Sequence, residues 1–501
     1  MKNHFKALLG IWLILLCQVV EASSFRLGFP LAIASTANFD IQTGGADTNA
    51  GCFDPSVANP GTDESQGAGT AITITLTGTG TTGTGSPAFT STTHGPGNCI
   101  LIASGSGCST GLYELNSQAS GTGTFDRAMG SSGNVCVGVI GGPLLTISKF
   151  YSSAVNGNIG HLKAGTYTIT SSLGNTTLQN YALIGYQTSH HTISNCEAQS
   201  DTRPLITSST NSVNIFNNGP NASNYTMFCN ITVNSTAATK GDCFHATNTW
   251  VGLTIANSKL SGCNVLVNGE DQVDFPMQYL AIRSSELTGS VSHCIINTEG
   301  GIFKNNYIHG CGGDGFTFGA HSAVGGWYAQ FIGNVIVSNV HGINATHGLA
   351  AATAGPQLDL HNNTIANNSS DGVTIATSLL GAASLSMDCN LVYGNTGWGV
   401  NAPSSPGAIM LNRTNAYGSN GSGNINNLAA GNGDVTLSAG PFTNSGGGDY
   451  SLNNTAGGGA AARGACWPGA FPAGTTTGGL DIGAVQSAAA AAPSYGFPIF
   501  H

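Results

Sequence analysis

The chain has 501 residues, 73 of them Gly, with 13 Lys and Arg against 23 Asp and Glu and a net charge of −10. Charged residues make up 7 %, against about 25 % in an average protein, so Ser, Thr, Asn and Gly carry the polarity. That balance argues against a nucleic-acid binder, because phosphate contact needs cationic side chains, and it points to a turn-rich all-β chain.

Residues 1–22 read as a secretory signal: Lys2 and Lys6, an apolar run Ala7–Val20, then Val20-Glu21-Ala22 before Ser23. The run is too short for a good membrane span, and no other stretch would cross a bilayer, so a secreted or surface protein is expected. Cys17 raises lipidation, but Leu16 stands where a small residue is expected. Cleavage would leave 11 basic and 22 acidic residues, a net charge of −11, and an even 12 cysteines, which permits disulfides. Cys99 and Cys108 flank a Gly/Ser turn and suggest a local bridge. Cys243, Cys263, Cys294 and Cys311 are spaced to stack as neighbours, bridged or simply buried. Without a CxxC pair or a His-rich cluster, a zinc or iron–sulfur site is not expected.

Residues 23–68 read as an irregular leader whose oxygen-rich residues Asp47, Asn49, Asp54, Asp63 and Glu64 suggest calcium, with Asx-turn capping as the alternative. Residues 69–142 read as a small hairpin-rich module, opened by the alternating Ala71-Ile72-Thr73-Ile74-Thr75-Leu76. Together, 23–142 are expected to cap the open end of a repetitive region that begins near residue 143.

Within this region, read as spanning 143–440, residues 250–401 carry a short phrase that recurs. Phe303-Lys304-Asn305-Asn306-Tyr307-Ile308 is followed by Phe331-Ile332-Gly333-Asn334-Val335-Ile336, Leu360-His361-Asn362-Asn363-Thr364-Ile365 and Met387-Asp388-Cys389-Asn390-Leu391-Val392. Each leads to a Gly and an apolar residue: Gly315-Phe316, Gly342-Ile343, Gly372-Val373, Gly399-Val400. The column Ser258, Ser285, Asn306, Asn334, Asn363, Asn390 steps by 27, 21, 28, 29 and 27 residues, and such a period means a solenoid. Apolar residues alternate at period two in short β-branched and aromatic runs, which is strand spacing, while Gly and Asn mark left-handed turns. Each repeat is therefore a coil of two or three short strands, with like residues stacked about 4.8 Å apart and the Asn column forming a hydrogen-bonded ladder. About ten coils of some 27 residues are expected.

This pattern, N-x-[IV]-x-x-N…G-[VIF]-x-[IV], resembles the right-handed parallel β-helix proteins, the pectate-lyase-like superfold. His161-Leu162-Lys163-Ala164-Gly165-Thr166-Tyr167-Thr168-Ile169 resembles the first coil of such chains. Leu480-Asp481-Ile482-Gly483-Ala484-Val485-Gln486 resembles the closing segment of exported bacterial β-helix proteins. Residues 441–486 are thus read as a Gly-rich C-terminal cap and 487–501 as a loose tail. The resemblance implies fold, not activity, since one fold hosts many functions.

Sugar-active members of that superfold work along a groove on one strand face. Lyases need an Arg or Lys base with carboxylate-held calcium, and hydrolases need two carboxylates at a set separation. The Asn-Thr-Asp, Asp-Asp, Gly-His-Gly, Arg-Ile-Lys set and the Arg-x-Pro-x-x-Arg signature are absent. The remaining candidates are Glu286 and Asp314, expected to stack onto one face, with Arg283 or Lys304 beside them; Glu270, Asp271 and Asp274 form an acidic loop nearby. Asp314 and Asp371 each precede the repeat Gly, which favours a turn role. The insert 319–330 carries Trp327 and Tyr328, and Trp398 stands before a repeat Gly; all three suit stacking on sugar rings. Two readings remain: a secreted or surface protein acting on polysaccharide as a lyase or hydrolase, or a non-catalytic carbohydrate-binding, adhesin-like or structural surface protein.

Overall fold

The computed structural model describes residues 37–486, apart from the segments 175–177, 179, 219–223, 248–249, 270–276, 278, 299, 319–327, 347–355, 377–382, 403–408 and 467–479. Residues 1–22, expected to be a signal, with Cys17, the acidic loop residues Glu270, Asp271 and Asp274, and Trp327 lie outside the described residues. Among those residues no helix is long and apolar enough to cross a membrane.

The repeats build a parallel β-solenoid of three sheets, with 12, 11 and 9 strands. One coil runs Gly300–Lys304 in the first sheet, Tyr307–His309 in the second and Phe316–Phe318 in the third. Phe303 lies on Phe331 in register, the two rings stacked at 4.6 Å, so the interior is a continuous apolar column.

The expected ladder is present. Asn306, Asn334 and Asn363 each pass the side-chain amide to the next Oδ1, Asn334, Asn363 and Asn390, at 2.9–3.0 Å, and Asn390 continues it to Asn415. Ser258 and Ser285 fill the same column with hydroxyls that accept backbone N–H groups. The residue before each ladder position turns left-handed, as at Asn305 (φ 55°) and Asn362 (φ 51°). A second ladder runs at the corner after the second sheet through Asn339, Asn368, Asn395 and Asn420; the first three are the second Asn of the repeat pattern.

Residues 70–140 close into a six-stranded antiparallel barrel around Ile72, Ile74, Phe89, Ile100 and Leu115. The leader is less irregular than its composition suggests. Asn38–Ile41 joins the first sheet in parallel with Ile159–Lys163. The short helix Ile147–Ser153, capped by Thr146, buries Ile147, Phe150 and Tyr151 over the end of the apolar column, with Leu101 and Leu112 of the barrel packed alongside.

The twelve cysteines after Cys17 pair as Cys52–Cys99, Cys108–Cys136, Cys196–Cys229, Cys243–Cys263, Cys294–Cys311 and Cys389–Cys466. The local Cys99–Cys108 bridge is corrected. Cys99 pairs with Glu114 at one end of the hairpin Cys99–Ser104/Gly111–Ala119, whereas Cys108 lies in its turn at the other end. The Cys243, Cys263, Cys294 and Cys311 set does stack, as two bridges.

Two excursions cover parts of the solenoid. Residues 187–204 fall between Tyr186 and Leu205, where later coils use a two-residue corner such as Asn305-Asn306. Cys196 pins this excursion over Ala182, Ile184, Met227, Cys229 and Ala256 on the outside of the first sheet. The closing segment covers the second sheet: Tyr450 sits on Val337 and Ala366, and Ile482 is buried with Leu391, Ala416 and Leu437. A Cβ on Gly483 (φ 111°) would meet Thr364 Oγ1 at 2.9 Å, so a glycine is needed there.

Candidate functional site

The outer face of the first sheet comes into the open where the first excursion ends. Strands Tyr328–Ile332, Gln357–His361 and Ser384–Asp388 share one alternation, with apolar residues inward and every second residue outward. Register stacks the outward residues in columns. One column runs Ala281, Ile302, Gln330, Asp359, Ser386, Leu411; the next runs Arg283, Lys304, Ile332, His361, Asp388, Arg413. Tyr328, Gln357 and Ser384 form a third.

The centre of this strip is Asp359. His361 Nε2 lies 2.7 Å from its Oδ1, Gln330 donates to Oδ2 at 3.0 Å, and the Tyr328 hydroxyl donates to Oδ2 at 3.3 Å. Burial raises the Asp359 pKa, but the hydrogen bonds from His361 and Gln330 outweigh it and hold the carboxyl below its usual range. The same hydrogen bond raises the pKa of His361 against the opposing effect of burial. Tyr328 is 40 % exposed, and burial with the Asp359 charge keeps its hydroxyl protonated. Asp388 and Arg413 pair at 3.1 Å one coil on. The strip offers an aromatic face, two amides, two carboxylates, an imidazole and two exposed cations, Lys304 and Arg413.

The sequence candidates are distributed rather than gathered. Arg283 and Lys304 do share a column on this face, and Arg283 is paired with Glu197 of the excursion at 2.9 Å. Glu286 and Asp314 do not share a face. The coil turns a corner between them, so Glu286 stacks on Tyr307 in the second sheet, while Asp314 precedes the third-sheet strand Phe316–Phe318. Glu286 is held by Lys259 at 3.0 Å and His309 at 3.3 Å. It lines a pocket of about 460 Å³ with Arg203, Asn305, Tyr307 and Val485.

Asp314 is buried and belongs to a repeated corner device. Asp242, Asp314 and Asp371 each accept the backbone N–H of the next coil, from Val265, His341 and Trp398. Each also accepts a side-chain amide from that coil, Asn268, Asn344 and Asn401. The turn reading of Asp314 and Asp371 therefore fits. Trp398 sits at this third-sheet corner over Gly423, away from Tyr328.

The oxygen-rich leader residues have separate duties. Asp47 receives Leu145 N, Thr146 N and the Thr146 hydroxyl. Asn49 donates to Pro143 O. Asp54 and Asp63 form turns with Ser56 and Ser65, and Glu64 holds His94. With these protein donors in place they do not fit a cation cage, and among the described residues no three His, Cys, Asp or Glu side chains come together as a metal site.

Sequence reasoning did not gather Gln330, Asp359, His361, Asp388 and Arg413. Their signal was the polar half of the period-two pattern in successive strands, at a constant offset before the Asn column.

No family model matches the chain, and no curated protein matches it in sequence. Among solved structures, the chain is similar to a pectate lyase at 15 % identity, covering 69 % of this chain and 91 % of that one, with a TM-score of 0.40. It is also similar to the A-module of a mannuronan C-5 epimerase from Azotobacter vinelandii, at 15 % identity, 58 % and 74 % coverage and a TM-score of 0.33. The catalytic domain of a GH87 alpha-1,3-glucanase in complex with nigerose matches at 12 % identity, 81 % and 96 % coverage and a TM-score of 0.31. Likenesses this remote assign no chemistry.

Proposed function

We propose that the protein is an exported β-solenoid that binds an extended polysaccharide along the open outer face of its first sheet. The observation that carries the reading is the Tyr328–Asp359–His361 strip, in register over successive coils. An exposed aromatic face beside planar hydrogen-bonding groups suits a sugar ring, which has apolar C–H faces and a polar rim. Stacking at about 4.8 Å per coil repeats the contacts along one direction, as a polymer requires. Six disulfides support export to an oxidising compartment. The scatter of Glu286, Asp314 and Arg283 over three sheets supports binding over cleavage by those residues.

Cleavage is the second reading, favoured by one observation: a His–Asp pair beside a tyrosine hydroxyl on the same strip, groups able to move protons. One experiment separates the two. Mature protein (residues 23–501) is run in native gels containing acidic or neutral polysaccharides, and the same polymers are assayed for reducing ends with calcium and with chelator. Retardation without release is the result expected for a binding protein. Release abolished by Asp359→Asn would establish the enzyme instead. Neither retardation nor release with any polymer would remove the carbohydrate reading.

A further inference from the structure

We propose that Ser370, His341 and Asp314, at the corner leading into the third sheet, form a nucleophilic acyl-transfer site that hydrolyses O-acyl esters. His341 Nδ1 lies 2.7 Å from Asp314 Oδ1, and His341 Nε2 lies 2.9 Å from Ser370 Oγ. One imidazole tautomer serves both contacts: Nδ1–H donates to the carboxylate and Nε2 accepts the serine hydroxyl. This is the nucleophile–base–orienter relay that activates a serine, recognised by geometry and not by chain order.

The surroundings suit the roles. Burial raises the Asp314 pKa, but His341, Asn344 and Thr317 outweigh it and hold the carboxyl at about 2. It therefore stays ionised and orients the base. The hydrogen bond from Asp314 raises the His341 pKa against burial. Asp314 and Asp371 are the charged groups facing His341, and His293 lies on the far side of Asp314, 3.7 Å from Oδ2. His341 and Ser370 are partly exposed at the corner, where a substrate can reach them.

The relay is not a by-product of the fold. The corner device occurs at Asp242, Asp314 and Asp371, but the residue receiving the aspartate in the next coil is Val265, His341 and Trp398 respectively. Of these three copies only the middle one brings an imidazole, and there a hydroxyl one coil further meets it. The Asp371 carboxylate accepts from Trp398 N and Asn401 Nδ2.

The reaction balances with water as the second substrate. Ser370 Oγ attacks the ester carbonyl carbon as its proton passes to His341 Nε2. The C–O bond to the alcohol then breaks, and the alcohol leaves with that proton. Water attacks the acyl-serine and gives a proton to His341. The carboxylic acid departs and Ser370 recovers its proton. This chemistry does not depend on the polysaccharide reading; where that reading holds, O-acylated sugars are the substrate class.

The test is labelling of the full mature chain by a fluorophosphonate, located by peptide mass spectrometry, together with hydrolysis of p-nitrophenyl acetate across pH. Expected are a single label on Ser370 and hydrolysis that rises as His341 deprotonates. Ser370→Ala should abolish the label, His341→Asn should slow hydrolysis roughly 10²–10⁴-fold, and Ser369→Ala should change neither. A folded, disulfide-paired protein that takes no label at Ser370, or Ser370→Ala hydrolysing at the wild-type rate, would overturn the proposal. Labelling without polysaccharide binding would leave it standing and remove only the carbohydrate reading.

Discussion

One sheet face has two different lives along this solenoid. Where the excursion 187–204 covers it, the outward residues Ala182, Ile184, Met227, Cys229 and Ala256 are apolar and buried. Beyond Arg283, which meets the edge of that cover through Glu197, the same columns carry Lys304, Gln330, Asp359, His361 and Asp388 and lie open. The corners change with the face. The column after the second sheet holds Cys263, Ser290 and Cys311, the two cysteines each in a disulfide, and then Asn339, Asn368, Asn395 and Asn420 in a ladder. The Cys311 backbone N–H donates to Asn339 Oδ1, so the change from covalent staple to amide ladder occurs between adjacent coils. The backbone is uniform; what sits on a face decides whether it is core or binding surface.

The largest expected effect comes from breaking the open half's ladder. Asn363→Ala removes the acceptor of Asn334 N and Nδ2 and leaves two buried donors unpaired. It should cost roughly 2–6 kcal/mol in denaturant unfolding, at about 1–3 kcal/mol per group; a loss under about 1 kcal/mol, the low end for a single group, would mean the ladder is ornamental. Next comes the covered half. Cys196→Ala with Cys229→Ala should cost about 2–4 kcal/mol and speed hydrogen exchange around Ile184 and Met227 while leaving strands 357–388 unchanged. Exchange that rises equally in both halves would contradict the division. Smaller still, Tyr328→Ala should leave stability unaltered and weaken polysaccharide binding by about 0.5–1.5 kcal/mol; an unchanged affinity would move the site elsewhere.

The smallest effect is on pH. The His361 pKa is raised in the fold from the ordinary imidazole value of 6.5, so its contribution is complete below that value and is lost as pH rises through the raised one. The Asp359 pKa is lowered from 3.8, so its contribution is present above that value and is lost as pH falls through the lowered one. The pair should therefore be strongest between these limits and slacken on the alkaline side, a slope that His361→Ala removes from the unfolding free energy measured against pH. An equal alkaline slope in that variant would assign the effect to another group.

Much of the fold was legible because coil stacking repeats a local pattern. The Asn306 column and the period-two apolar residues report the same geometry in every coil. The excursion 187–204 was not legible, since its residues have no repeat and its role depends on Cys229, which lies beyond it in sequence. The Cys99–Cys108 misreading has the same cause: sequence proximity ignores a hairpin that carries the two apart. The candidate site was half legible. Tyr328, Arg283 and Lys304 stand out as residue types, but Asp359 and His361 come together only when register aligns them. Counting coils without counting corners puts Glu286 and Asp314 together, and the corner between them separates them.

Residue-level footprinting of the protein, with and without a polysaccharide that retards it, tests most directly whether the open first-sheet strip is the binding surface. Hydroxyl radicals report Tyr328 and His361, and carbodiimide labelling reports Asp359, Asp388 and Glu286. Protection of Tyr328, His361, Asp359 and Asp388 is expected, with Glu286 unaffected. Protection at Glu286 or on the third sheet, with the first-sheet strip unchanged, would contradict that assignment.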